Sequence, residues 1–184
     1  MTAVEFSIFI LLYAKGRKIV RIVVMSDSHG KTGAVSDIVD SNLGKAQMFI
    51  HLGDGENETD YIMAEYPHID MRRVAGNCDY CSRLPLSTVI DVDGARIFAA
   101  HGHSYGVKGG LERITAAAKQ NDCNIVLFGH THERFLHYEN GIYYMNPGSC
   151  AQPRDGKSPS YGYIDITESG IFTAIVDLKY SWEK

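Results

Sequence analysis

The chain has 184 residues, 45% of them hydrophobic, and a formal charge of -4 from 18 Lys+Arg against 22 Asp+Glu. That size suits one domain with a self-sufficient core, so a metal is expected to serve chemistry rather than folding; the absence of a basic block argues against a stable nucleic-acid partner. Four cysteines (Cys78, Cys81, Cys123 and Cys150) are too few for a secreted disulfide scaffold, and the Cys78-x-x-Cys81 pair lacks the further ligands of a structural zinc, so reduced thiols are expected.

Phe6 to Ala14 (FSIFILLYA) is the first feature along the chain. A membrane-spanning helix needs about 20 apolar residues, which this run does not reach. Glu5 before it, with Lys15, Arg17 and Lys18 after it, does not fit a signal peptide. Residues 1–18 are therefore read as an apolar extension that packs on the domain or on a partner subunit, ahead of one domain at 19–184. No membrane association, a cytoplasmic location and room for a homodimer follow as expectations.

Ile19–Met25 is a β-branched run of buried-strand type, ending in Ser26-Asp27-Ser28-His29-Gly30. Ala34, Val35, Ile38, Val39 and Leu43 then recur at helical spacing. Gln47–Leu52 reads as a second strand, ending at Gly53-Asp54. A short helix is predicted over Thr59–Glu65, closed by Pro67. Arg72–Ala75 reads as a strand leading into Gly76-Asn77-Cys78-Asp79. Thr88–Val92 and Ala95–Ala100 flank Asp93-Gly94, a tight-hairpin signal, and the second strand ends in His101-Gly102-His103. A helix over Leu111–Gln120 precedes the strand Asn124–Phe128, which ends in Gly129-His130-Thr131-His132. Asn140-Gly141 turns a second hairpin, Phe135–Tyr138 with Ile142–Met145. Asn146-Pro147-Gly148-Ser149 reads as a turn, and the last strand pair is Tyr161–Ile166 with Ile171–Leu178. Helices alternating with strands, then hairpins, predict an α/β fold: a layered sandwich of packed mixed sheets flanked by helices.

Five predicted strands thus end in polar clusters beside glycine or serine, where α/β sheets bind their ligands. Taken singly, each cluster reads as a turn or a helix cap. Taken together, Asp27, His29, Asp54, Asn77, His101, His130 and His132 form a donor set of carboxylate, amide and imidazole. That set suits manganese, iron, nickel or zinc and is too large for one tetrahedral ion. Two ions suffice if Asp54, which stands alone after its strand, bridges them. Paired ions can clamp the attacking and leaving oxygens of a phosphoryl displacement.

In this order the motifs resemble the calcineurin-like metallophosphoesterases, and the length and the Gly76-Asn77-Cys78-Asp79 form resemble their small YfcE-type phosphodiesterase branch. The resemblance runs from about Val20 to Leu178. It implies two packed mixed sheets, two divalent cations (manganese put first) and hydrolysis of a small phosphodiester by a metal-bound water or hydroxide. One ion would take Asp27, His29, Asp54 and His132, and the other Asp54, Asn77, His101 and His130. Asn77 would also donate to the substrate phosphate, and the Asn146–Ser149 turn would border the site. Where the broader family has a histidine after Gly-Asn, thought to protonate the leaving alkoxide, this chain has Cys78. His103 is expected to take over part of that task. Arg154 reads equally as a substrate-phosphate contact or a solvated loop residue. His51, His68 and His137 read as structural, and Tyr143, Tyr144, Tyr161 and Tyr163 as core or interface. A phosphomonoesterase or protein phosphatase of the same mechanism is one alternative. A non-catalytic module like the retromer subunit of this fold, which has lost metal-centre histidines, is another.

Overall fold

Seven residues, Ile19–Met25, form the central strand β1, as their β-branched run predicts. The structure, a computed structural model, describes residues 19–179, so the apolar extension lies outside it. In one sheet β1 lies parallel to β2 (Met48–His51), which lies parallel to β3 (Met71–Arg73). On its other side β1 pairs antiparallel with β9 (Ser160–Thr167), and β9 with β10 (Gly170–Asp177). The second sheet has the order β4 (Ser87–Val92), β5 (Ala95–Ala100), β6 (Ile125–Leu127), β8 (Ile142–Pro147), β7 (Arg134–Glu139). Each sheet has 5 strands and mixes parallel with antiparallel pairs.

The two-residue period of the strands sorts their side chains into layers. Val20, Ile22 and Val24 of β1 meet Ile97, Ala99, Ile125 and Leu127 of the other sheet. The alternate residues Val23 and Met25 face outward, onto α1 (Thr32–Asn42) and α2 (Glu56–Glu65) through Val35, Ile38 and Ile62. On the far side, α3 (Glu112–Gln120) lays Ile114 and Ala118 over Phe98 and Val126. The expected layered sandwich is therefore helix, sheet, sheet, helix, with the core between the sheets. No helix of the described residues is long and apolar enough to cross a membrane.

Two sequence expectations need correction. Helix α2 begins at Glu56, not Thr59. Its first turn is capped by the carboxylate of Asp79, whose Oδ1 accepts the N–H groups of Gly55 (2.9 Å) and Glu56 (3.0 Å). A cap that distant in sequence leaves no local signal. Asn146 and Pro147 are not a turn but the end of β8, paired with Phe135 and Arg134. Proline is tolerated there because it closes the strand.

Candidate metal centre

The carboxyl ends of β1, β2, β3, β5 and β6 open on one crevice, and the loops that follow them are tied to one another. The backbone N–H of Asp27 bonds to Gly53 O (3.1 Å), that of His29 to Asp54 O (3.0 Å), and that of Gly129 to His101 O (3.0 Å). The loops also share an unusual backbone. Nine described non-glycine residues have positive φ, and five of them are Asp27 (57°), His29 (42°), Asp54 (57°), His130 (68°) and His132 (61°). Left-handed backbone is uncommon outside glycine; here it coincides with the expected ligands. Glycine is needed for a different reason at positions 76 and 129. A Cβ at Gly76 would strike the Asp54 carboxylate, and one at Gly129 would strike Ser26 Oγ and the Asp27 carboxylate.

Around the crevice, two imidazoles have fixed tautomers. His101 Nδ1–H donates to Leu52 O (2.7 Å) and His132 Nδ1–H to Gln152 O (2.7 Å). A carbonyl only accepts, so each Nε2 presents its lone pair to the crevice when the ring is neutral. The His132 lone pair faces Asp27 Oδ1 at 3.2 Å and His29 Nε2 at 3.0 Å. The His101 lone pair faces Asp54 Oδ2 at 3.4 Å and Asn77 Oδ1 at 3.2 Å. Asp54 Oδ2 lies 3.7 Å from His29 Nε2, between the two groups. Asp27 Oδ1 is buried without a hydrogen-bond partner among the described residues. Acceptors that face one another across about 3 Å in a buried site require a cation or a proton between them. The donor set therefore fits divalent metal, and three-residue clusters with metal-ligand reach are Asp27/His29/His132, Asp27/Asp54/His101 and His29/Asp54/Cys78.

The titration behaviour agrees with this demand for positive charge. Burial alone would raise the Asp27 and Asp54 pKa values, but histidine contacts outweigh it. His132 holds Asp27 below the usual carboxylate range, and His101, with the Cys78 N–H, does the same for Asp54. Burial alone would lower His101, yet Asp54 and Asp27 raise it. His130 goes the other way, to about 4, through burial and then the positive charge of His101 and Lys108.

His130 and His103 are drawn in beside this centre rather than into a cluster. The His130 ring centroid lies 5.1 Å from that of His101, and His103 lies 5.4 Å from His101 and 6.1 Å from His130. His103 Nδ1 is buried and unpartnered among the described residues, and burial, then His101, lowers its pKa. Asn77 is exposed, with its Nδ2 donating to Cys78 Sγ (3.2 Å). Arg154 is exposed on the loop that leaves the site, its backbone N–H bonded to His132 O (3.0 Å). Cys78 is a thiol rather than a thiolate, since burial and then Asp54 raise its pKa, which makes it a weak ligand and nucleophile.

The buttressing residues lie in the Gly76–Asp79 and Asn146–Ser149 stretches, but the groups they hold leave no local signal. Asp79 Oδ2 accepts the N–H groups of Asp54 (2.7 Å) and Gly76 (2.8 Å), adding to its bonds at the start of α2. Asn146 Nδ2 donates to Gly129 O (2.9 Å) and Thr131 Oγ1 (3.0 Å), and Ser149 Oγ donates to Asp27 O (2.6 Å). His51 is structural, as expected. Gly53 N–H donates to its Nδ1 (3.2 Å), so Nε2–H donates to Ser28 Oγ (3.1 Å), whose hydroxyl donates to buried Glu58 (2.7 Å). Burial pushes His51 down to about 4, which keeps it neutral.

The family model described as a calcineurin-like phosphoesterase superfamily domain matches residues 20–169. The chain belongs to the calcineurin-like phosphoesterase superfamily. It is similar to the probable metallophosphoesterase YsnB of Bacillus subtilis (strain 168), at 27% identity over 79% of this chain and 83% of YsnB. It is also similar to phosphodiesterase YfcE of Escherichia coli (strain K12), at 32% identity over 50% of each chain. A crystal structure of a predicted phosphoesterase from Streptococcus pneumoniae TIGR4 superposes with a TM-score of 0.79 and 29% identity, covering 89% of this chain and 92% of that one. The calcineurin-like phosphoesterase fold thus accounts for the two mixed sheets and their flanking helices. A family of metallophosphoesterases implies divalent cations, which the clustered carboxylates and imidazoles can bind.

Proposed function

We propose that the chain is a metal-dependent phosphodiesterase with a dinuclear centre, working on small phosphodiesters, with manganese the preferred ion among manganese, iron, nickel and zinc. One observation carries the reading: the lone pairs of His101 and His132 are held facing the carboxylates of Asp54 and Asp27, with Asp27 Oδ1 unpartnered among the described residues. In this reading Asp27, His29, Asp54 and His132 hold one ion, and Asp54, Asn77, His101 and His130 the other. The place of Asp54 Oδ2, 3.4 Å from His101 and 3.7 Å from His29, supports its assignment as the bridge. Divalent ions, when bound, supply positive charge for the phosphoryl oxygens and acidify the attacking water.

The remaining steps belong to the side chains. The Asn77 amide N–H, now on Cys78 Sγ, turns to donate to an oxygen of the scissile phosphate, and the Arg154 guanidinium, exposed on its loop, contacts a phosphate of the substrate. Water gives up a proton to solvent as it adds to phosphorus, the bond to the leaving oxygen breaks, and that oxygen takes a proton from the His103 imidazolium, whose lowered pKa places this assistance on the acid side of neutrality. Replacing His103 with Asn is expected to cut turnover of an alkyl phosphodiester about 100-fold, with a much smaller effect on a p-nitrophenyl ester, whose leaving group needs no proton. A pH–rate profile for the alkyl substrate unchanged by the substitution would remove His103 from the mechanism.

The scaffold alternative rests on loss of metal-centre histidines, and here His29, His101, His130 and His132 are all present. The deciding experiment reconstitutes metal-free protein with each ion and assays bis(p-nitrophenyl) phosphate against p-nitrophenyl phosphate. The diester is expected to be the better substrate. Metal at 100 times its Kd adds about 2.7 kcal/mol to stability, so the melting temperature is expected to rise by about 5–10 °C and to fall again with a chelator. No thermal shift with any ion, or activity that survives both Asp54→Ala and His130→Ala, defeats the reading.

A further inference from the structure

Beside the centre lies a cleft of about 550 Å³ that none of the proposed ligands fills, within the range of sites that take small organic molecules. Its shared wall is Thr131, which stands between His130 and His132. Phe128 and Phe135 supply an aromatic side, their ring centroids 5.9 Å apart at 50°. Phe128 is buried, whereas Phe135 is 38% exposed, an aromatic surface that water covers poorly. Three cations line the cleft: Lys108, Arg134 and Arg154. Arg134 is already committed, bonded to Asp177 (2.7 Å), Ser160 Oγ (3.1 Å) and Ser158 O. Among the described residues Lys108 and Arg154 have no ion-pair partner, although acidic residues outnumber basic ones in the chain. Glu133, exposed on the same rim, offers a hydrogen-bond acceptor.

Two cations without an ion-pair partner among the described residues, an open aromatic face and one acceptor, placed next to the proposed metal centre, describe a receptor for an anionic group built on a ring. Resting on the phosphodiesterase reading, we propose that this cleft binds one half of the substrate, and that this half is a phosphorylated nucleotide. Its base lies against Phe135, Glu133 accepts from a ribose hydroxyl or base amino group, and Lys108 and Arg154 hold its terminal phosphate. The long stem of Lys108 and the fork of Arg154 grip that phosphate from two sides. Thr131, between the proposed ligands His130 and His132, lines the cleft, so one ligand can span cleft and centre.

The test compares two dinucleotides, pApA and ApA, which differ only in the terminal phosphate, on metal-loaded enzyme. Wild-type kcat/KM is expected to favour pApA by about tenfold or more, mostly through KM, as a charge-assisted phosphate contact warrants. Lys108→Ala and Arg154→Ala should each pull that ratio towards one. Phe135→Ala should lower kcat/KM for both dinucleotides by about fivefold or more and leave the ratio in place, because stacking does not read the phosphate. In parallel, AMP is titrated calorimetrically into the metal-free protein and should bind more weakly to either cation variant. If bis(p-nitrophenyl) phosphate is cleaved but the wild-type enzyme treats pApA and ApA alike, the cleft proposal falls and the phosphodiesterase reading stands. If no diester is cleaved with any ion, that reading falls, and AMP binding indifferent to Lys108 and Arg154 then removes the cleft as well.

Discussion

Asp54→Asn is expected to reduce hydrolysis at least about a thousandfold and to strip the protein of high-affinity divalent metal. The substitution keeps size and shape, and one side-chain oxygen can still accept the Cys78 N–H now bonded to Asp54 Oδ1 (2.7 Å). What it removes is the charge. Asp54 Oδ2 lies within 4 Å of both His29 Nε2 and His101 Nε2, so a neutral amide weakens both proposed ion sites together. A bound cation contributes several kcal/mol to transition-state charge, and a thousandfold loss corresponds to about 4 kcal/mol. Metal-free protein gives an independent readout. Asp54 is a main cause of the raised His101 pKa, so in the variant that pKa should move down, measured by NMR titration of the imidazole. A variant that binds manganese like its parent and keeps more than a tenth of its activity would refute the shared carboxylate.

Asp79→Ala is expected to lower stability by about 3 kcal/mol or more and metal affinity by about 10- to 100-fold. One carboxylate accepts four backbone N–H groups, from Asp54, Gly55, Glu56 and Gly76, at 2.7 to 3.0 Å. Hydrogen bonds to a charged group are worth about 1.5–3 kcal/mol each. Asp79 is only half-buried, so water recovers part of the loss, which sets the expectation below the sum. At about 2–4 °C per kcal/mol for a chain of this size, the melting temperature should drop by roughly 6–12 °C. The metal effect follows because Asp79 holds the Asp54 backbone in its left-handed conformation, and supporting residues of this kind typically cost 10–100-fold in affinity. Isothermal titration with manganese separates the two effects. Wild-type affinity in a destabilised variant would confine Asp79 to capping α2.

The sequence reveals the expected ligands more readily than it reveals what holds them. β-Branched runs mark the strands, and the clusters that end them stay together in sequence, as in Asp27-x-His29 or His130-x-His132. Each such signal is local. The Asp79 contacts reach back 23 to 25 residues to α2 and Asp54, and Ser149 reaches 122 residues to Asp27. Asp79 and Ser149 stand in stretches the sequence singles out, Gly76–Asp79 and Asn146–Ser149, but the groups they hold are too distant along the chain to be read locally, so only the fold exposes their roles. The start of α2 has no local marker for this reason. Asn146-Pro147 departs from expectation for another: a turn dipeptide by composition, it becomes strand because Phe135 and Arg134 pair with it. Lys108 and Phe135 are equally silent, since nothing but topology brings α3's leading loop and the start of β7 to one cleft.

Asp27, His29, Asp54, His130 and His132 all sit in a conformation that L-residues enter at a cost of about 1–3 kcal/mol each. Glycine would adopt the same backbone without that cost. Heat resistance and turnover therefore pull these five positions in opposite directions. A laboratory evolution campaign rewarded only for thermal tolerance would erode the chemistry first, at the places where the parent looks least well made.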